Sequence, residues 1–342
     1  MTECYIPKNL EIGFKIFQIS PFIATPIYSI AIYLLIYHSS IHAKRIRIIY
    51  FRNLTLNVVC MVAISIILCP IFYLPMYGYQ SNGLFRFVDW NLALPAIFTV
   101  YCILGVVISV MDLFHYRLKA ILTMNTKPRN LKIKRFVQQL IYLAYTVLVF
   151  TAVSYLGLLK IQSSQDAIKP LVFEKYHMSE VWCPRFLVAD PTSWPIILAI
   201  CTTIIFIISV GSVVLLCGGF TFMILISSRN DLSSFTLRAQ KKFTTVLIIQ
   251  AIVHVVFILG PILGIVVSVY FEISIKDGGL VYFFVEAQQG TASTLVFIFA
   301  HSVTKKILNY ATNYLRILIG LQASNSMWRV SIVELRSSKS VV

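Results

Sequence analysis

The sequence predicts an all-α polytopic membrane protein, a bundle of seven transmembrane helices with its N-terminus outside and its C-terminus cytoplasmic. Three observations lead there. Seven long apolar stretches occur, at about 17–37, 53–76, 91–113, 137–159, 194–226, 244–271 and 280–301. Each can cross the roughly 30 Å hydrocarbon layer as a helix rising about 1.5 Å per residue. Composition agrees: 58% apolar residues, 12% charged ones and a mean hydropathy of +0.83 lie outside the range of water-soluble domains. The charges then sort by loop. With the N-terminus outside, the first, third and fifth connections and the tail hold 4, 7, 4 and 6 Lys/Arg, or 21 of the 29. Lys and Arg in short flanking loops resist translocation, so this bias sets the orientation. The net charge of +16 is therefore a topology signal and does not suggest nucleic acid as a partner.

Each element follows in order. Residues 1–16 are polar and balanced and form an extracellular N-terminus, and the first helix reads as an uncleaved signal-anchor, too long for a signal-peptide core. The transmembrane domain runs over 17–301. An N-glycosylation triplet, Asn53-Leu54-Thr55, falls at the cytoplasmic end of helix two and is expected to be unmodified. Pro70, Pro75 and Pro95 shape the outer ends of helices two and three. Residues 160–193 form the longest exterior loop. Gly211, Gly218 and Gly219 interrupt a long fifth segment, which tilts or projects beyond the bilayer. Residues 232–243 extend helix six as an amphipathic helix on the inner side. The cytoplasmic tail, 302–342, carries a short interfacial helix around Lys305–Leu318.

Polar groups inside a membrane are costly, which makes them the place to look for function. Helix seven carries Glu286, Gln289, Gly290, Ser293 and Thr294 at helical spacing on one face, which must point into the bundle. Glu286 sits about two turns in from the outer surface, where a ligand would arrive. Gln250 and His254 share a face of helix six and serve either the same pocket or interhelical packing. Pro261 bends that helix and can act as its hinge. Arg117, at the inner end of helix three, reads on spacing alone as a snorkelling, topology-setting residue. Cys4 and Cys183 lie in exterior segments, an oxidising setting in which they either pair or stay free. There is no HExxH, nucleophile elbow, phosphate loop or Cys/His zinc spacing. Neither enzymatic activity nor a metal or cofactor is expected.

Several motifs in order carry a family resemblance. They are Pro26-Ile27-Tyr28 with Leu54-Thr55-Leu56-Asn57, Cys69-Pro70-Ile71-Phe72-Tyr73-Leu74-Pro75, Trp182-Cys183-Pro184, Gln240-Lys241-Lys242-Phe243 with Gly260-Pro261, and Gly290 with Ser293-Thr294. The chain resembles the nematode serpentine chemoreceptors, most closely class H. It departs from them at Gln289, where the family has His, near Val303-Thr304-Lys305, where it has Pro-Tyr-Arg, and in lacking an acid at the usual spacing from Arg117. The resemblance implies a sensory G-protein-coupled receptor in the plasma membrane of a chemosensory neuron. A small molecule would bind in the outer half of the bundle, with Glu286, Gln289 and His254 as ligand contacts. Arg117, Arg238, Lys241 and Lys242 would meet a heterotrimeric G protein. The alternatives are a seven-helix ligand-gated channel, whose N-terminus lies inside, and a solute transporter, which would show internal repeats.

Overall fold

The computed structural model describes residues 8–37, 44–73, 78–84, 91–124, 128–183, 185–190, 192–227, 234–271, 273 and 278–300. The chain forms two compact units, Met1–Val296 and Phe297–Val342. Only 297–300 of the second are described, as the end of a helix, so the expected tail helix lies outside the described residues. Among the described residues, six helices are long and apolar enough to span a membrane. Four of them are α1 (Lys8–Tyr37), α3 (Ala93–Met124), α6 (Trp194–Ser227) and α7 (Ser234–Tyr270). α2 (Lys44–Val62) continues through a π-helical turn, Ala63–Leu68, and α4 (Pro128–Leu156) continues through a short 3-10 helix into α5 (Gln165–Tyr176). The seventh span is divided into α8 (Gly278–Ala287) and α9 (Gln289–Ala300).

Helical periodicity fixes which face of each span turns inward. On α1, Phe14, Phe17, Ala24, Tyr28, Ala31 and Leu35 are buried at steps of three and four, while Ile16, Ile19, Phe22, Ile23, Ile30 and Tyr33 on the other side are exposed. An apolar exposed face is what lipid contact requires. α3 is the central helix and packs against α2, α4, α6 and α7. α4 and α6 are joined by hydroxyls: Thr151 Oγ1 donates to the Thr202 carbonyl at 3.1 Å, and Tyr155 OH lies 3.0 Å from Thr203 Oγ1. Such bonds hold helices together where apolar side chains gain little by leaving lipid.

The second span departs from the expected helix over 53–76. It ends at Leu68, because Cys69 adopts a left-handed conformation (φ 40°) and returns its N–H to the Ile64 carbonyl at 2.8 Å. Pro70, which has no N–H to give a helix, then starts strand β1 (Pro70–Tyr73). With β2 (Gly78–Ser81) and β3 (Phe186–Val188) it forms a small antiparallel sheet in the order β1-β2-β3. Phe72 pairs with Tyr79, and Tyr79 with Leu187. The bundle is mostly helical, as expected, with this small sheet added at one end. Both faces of the sheet are buried. Tyr79 and Leu187 join Leu68, Ile97 and Ile196 of the bundle, whereas Phe186 and Val188 join Val181, Ile168 and Val172 on the outer layer. Gln165, opening α5, closes the β3 edge: its amide donates to the Val188 carbonyl at 2.7 Å and accepts from the Val188 N–H at 2.9 Å. An otherwise open strand edge is so satisfied.

The break in the seventh span falls at Gln288, whose N–H is shared between the Phe284 and Val285 carbonyls at 3.2 and 3.1 Å. A little beyond it, Gly290 lets the span approach α1 and α2: a Cβ there would lie 2.6 Å from both Asn57 Cβ and Tyr28 OH. Nothing lies within 4 Å of the corresponding point at Gly219. Gly290→Ala should therefore destabilise the protein by about 1–3 kcal/mol through overpacking, and Gly219→Ala should be neutral or stabilising. Thermal unfolding in detergent compares the two, and equal effects would remove the close approach as the reason for Gly290.

Candidate functional site

Glu286, at the end of α8, is 5% exposed. Among the described residues no hydrogen bond or ion pair reaches its carboxylate, although its field extends to Cys60 on α2 and Tyr155 on α4. It therefore points into the bundle below the sheet, beside a group of buried apolar residues that includes Phe17, Cys60, Ala63 and Cys102. The Phe17 and Phe284 rings meet edge to face at 6.0 Å. Gln289 faces the same way. Its amide donates to Cys60 Sγ at 3.6 Å, and its Oε1 has no hydrogen-bond partner. A buried polar group without a partner costs free energy, and here a carboxylate and an amide oxygen stand together on one span. They are what a ligand offering a hydrogen-bond donor or a positive charge would satisfy.

The stripe read from the sequence is buried throughout, with Ser293 and Thr294 at 2% and 1% exposure. Its members divide their work. Gln250 Nε2 of α7 donates to the Ser293 carbonyl at 3.1 Å, a bond between spans that fixes packing. His254 turns back on its own helix, with Nδ1 2.7 Å from the Gln250 carbonyl, and its Nε2 is unpartnered. No hydrogen bond joins His254 to Glu286 or Gln289, so these three residues form two separate polar points. Pro261 is buried within α7, which runs on as one helix to Tyr270.

At the opposite end of the bundle Arg117 is 6% exposed. It does not snorkel. Its Nη2 donates to the Gln240 carbonyl at 2.9 Å, Nε lies 3.5 Å from Thr244 Oγ1, and the guanidinium sits over the Phe243 ring at 4.6 Å. α3 runs through the middle of the bundle, so position 117 faces α7 and not the rim. This ties α3 to α7 without a carboxylate. Arg238, Lys241 and Lys242 lie on the same stretch of α7 and are exposed.

One network has no local signature in the sequence. Asp112 of α3 is ion-paired with Arg52 of α2 and accepts a hydrogen bond from Tyr145 OH of α4 at 2.9 Å. Three spans are joined at one carboxylate. The only available sign was an acid five residues before Arg117. Close by, Asn53 Nδ2 donates to Ser109 Oγ at 2.7 Å and Asn53 is buried, so its side chain is engaged in packing.

The sheet covers the end nearer Glu286. Phe72 stacks on Tyr79 and also meets Phe283 of α8 at 5.0 Å, and Tyr79 OH donates to the Leu92 carbonyl. Burial pushes the Tyr73 phenol up to about 12 and raises that of Tyr79 as well, so both remain protonated donors at neutral pH. Cys183 is disulfide-bonded, whereas Cys60, Cys102, Cys201 and Cys217 are free thiols. Cys4 lies outside the described residues. Among the described residues no group of three His, Cys, Asp or Glu is placed to hold a metal.

Residues 11–310 match the model of a family described as serpentine type 7TM GPCR chemoreceptor Srh. No curated protein and no solved structure matches the chain.

Proposed function

This chain belongs to the Srh family of serpentine-type seven-transmembrane G-protein-coupled chemoreceptors, and from that premise we propose that it detects a small molecule and signals to a heterotrimeric G protein. The ligand binds between the sheet and the middle of the bundle, against Glu286 and Gln289, with His254 as a further contact from α7. Its higher affinity for one arrangement of the spans shifts the equilibrium toward that arrangement. α7 then swings about Pro261 and parts from Arg117. Arg117, together with Arg238, Lys241 and Lys242, becomes the surface that the G protein meets. The observation that carries this reading is the buried carboxylate of Glu286, which has no hydrogen-bonding or ionic partner among the described residues. The charge bias of the loops supports an orientation with the sheet outside the cell and the Arg117 end inside, and membership of a chemoreceptor family supports the plasma membrane of a chemosensory neuron as its location.

Two experiments test this. A tag on the N-terminus should be reached by antibody on intact cells, while a tag at the C-terminus should need permeabilised ones. The reverse result would favour the ligand-gated channel, whose N-terminus lies inside. A G-protein activation assay in cells, screened with volatile and secreted small molecules, should then find agonists whose effect is lost without the G protein. A solute flux that persists without it would favour a transporter.

A further inference from the structure

A cavity of about 330 Å³ lies between α3 and α4 at the end opposite the sheet, away from Glu286 and from the Arg117–α7 contact. That volume is at the lower end of those that hold small molecules. The chemistry of its wall changes with depth. Lys119 and Lys134, both exposed, stand close to where α3 ends and α4 begins. Leu118, Val137 and Ile141, all buried, form the next level. Asp112 and Tyr145 close the bottom, and Lys134 and Tyr145 are about 16 Å apart along α4 at 1.5 Å per residue. The acid at the bottom offers no free negative charge, because it is paired with Arg52 and hydrogen-bonded to Tyr145. The cavity therefore presents two unopposed ammonium groups at its mouth and an apolar wall beneath them. One side is open between spans whose neighbouring faces are lipid-facing, with Tyr142 at that opening 63% exposed.

We infer that this cavity is a binding site for an anionic membrane phospholipid. Lys119 and Lys134 hold the headgroup phosphate, and the first part of the acyl region lies against Leu118, Val137 and Ile141. Charge complementarity selects an anion, since ammonium groups near the membrane surface gain on the order of 1 kcal/mol each from anionic lipid. The apolar wall selects an amphiphile over a free phosphate ion, which would gain nothing from burying those side chains. The site is independent of ligand detection and of G-protein coupling. Basic residues that merely sit near a membrane attract lipid without a fixed position; here two of them flank one cavity formed by two spans.

The test uses the full-length receptor in phosphatidylcholine nanodiscs, alone or doped with a photoactivatable phosphatidylinositol phosphate. After irradiation, mass spectrometry should place the adduct on peptides of α3 and α4 that contain the wall residues. Lys119→Gln combined with Lys134→Gln should lower labelling at least fivefold, with unfolding in phosphatidylcholine alone unchanged because both side chains are exposed. Lys132→Gln combined with Arg135→Gln, on the same helix but off the cavity wall, should leave labelling as it was. Soluble inositol phosphate should neither compete nor stabilise. Equal loss from both double substitutions, or labelling spread over every basic helix end, would overturn the site. Full competition by the soluble phosphate would overturn its assignment to lipid. No arm uses a G protein or an agonist, so failure here is separate from failure of the receptor reading.

Discussion

Phe243→Ala should raise ligand-free G-protein activation about tenfold. The Arg117 guanidinium lies over that ring, and Tyr50 meets the same ring edge to face at 6.0 Å. Phe243 is thus the hub through which α2, α3 and α7 touch at this end of the bundle. A partly desolvated cation–π contact is worth about 0.5–2 kcal/mol, and a loss near 1.4 kcal/mol changes a two-state ratio tenfold. The substitution removes the contact only from the arrangement in which α3 and α7 are close, so the balance moves toward the parted one. Arg117, the proposed G-protein contact, is left in place, which makes this variant more informative than one at Arg117. Nucleotide exchange on a purified G protein reads the basal rate, and Phe243→Tyr, which keeps a ring, should restore the low value. Unchanged basal exchange in Phe243→Ala at normal surface expression would sink the α3–α7 tie as a restraint.

Glu286→Met should make the receptor more stable and much less responsive. A buried carboxyl group with no partner among the described residues, close to Cys60, is a burial cost, and a thioether of similar length fits apolar surroundings. The expected gain is about 1–3 kcal/mol, which at about 2–4 °C per kcal/mol appears as a clear rise in unfolding temperature. If the same carboxylate holds the ligand, agonist potency should fall at least tenfold. Stability and function then move in opposite directions, as they do where a site keeps a strained or unsatisfied group for use. A variant that is less stable and responds normally would show that Glu286 serves packing alone.

The parts of this fold that depend on local pattern were legible in the chain. Apolar runs of sufficient length gave the spans, and spacing of three and four residues identified the inward face carrying Glu286, Gln289, Ser293 and Thr294. The sheet was not legible, because Pro70–Tyr73 lies inside the continuous apolar run 53–76. Hydropathy cannot separate a short buried strand from a helix there. Pro70 and Pro75 were the available signs, and the left-handed turn at Cys69 has no sequence marker at all. The extension of α1 back to Lys8 was hidden by the polar character of residues 1–16. Arg117 looked like a rim residue because position along a helix says nothing about which neighbour it faces. The Arg52–Asp112 pair joins residues sixty positions apart, a relation that only the packed bundle creates.

The divided seventh span also bears on how the protein is made. α8 has 10 residues and α9 has 12, each well short of the roughly 20 needed to cross the hydrocarbon layer alone. Gln288 stands between them, with Glu286 near the end of α8 and Gln289 at the start of α9, and an acidic residue within a span opposes insertion by about 2.5–3.5 kcal/mol. During synthesis this segment therefore does not commit to the bilayer on its own hydropathy. It emerges after α1 to α7, which are then present and able to shelter its polar face, so its integration is completed by docking onto them. The chemistry proposed for recognition is thus carried by a span whose membrane insertion depends on the rest of the bundle having formed first.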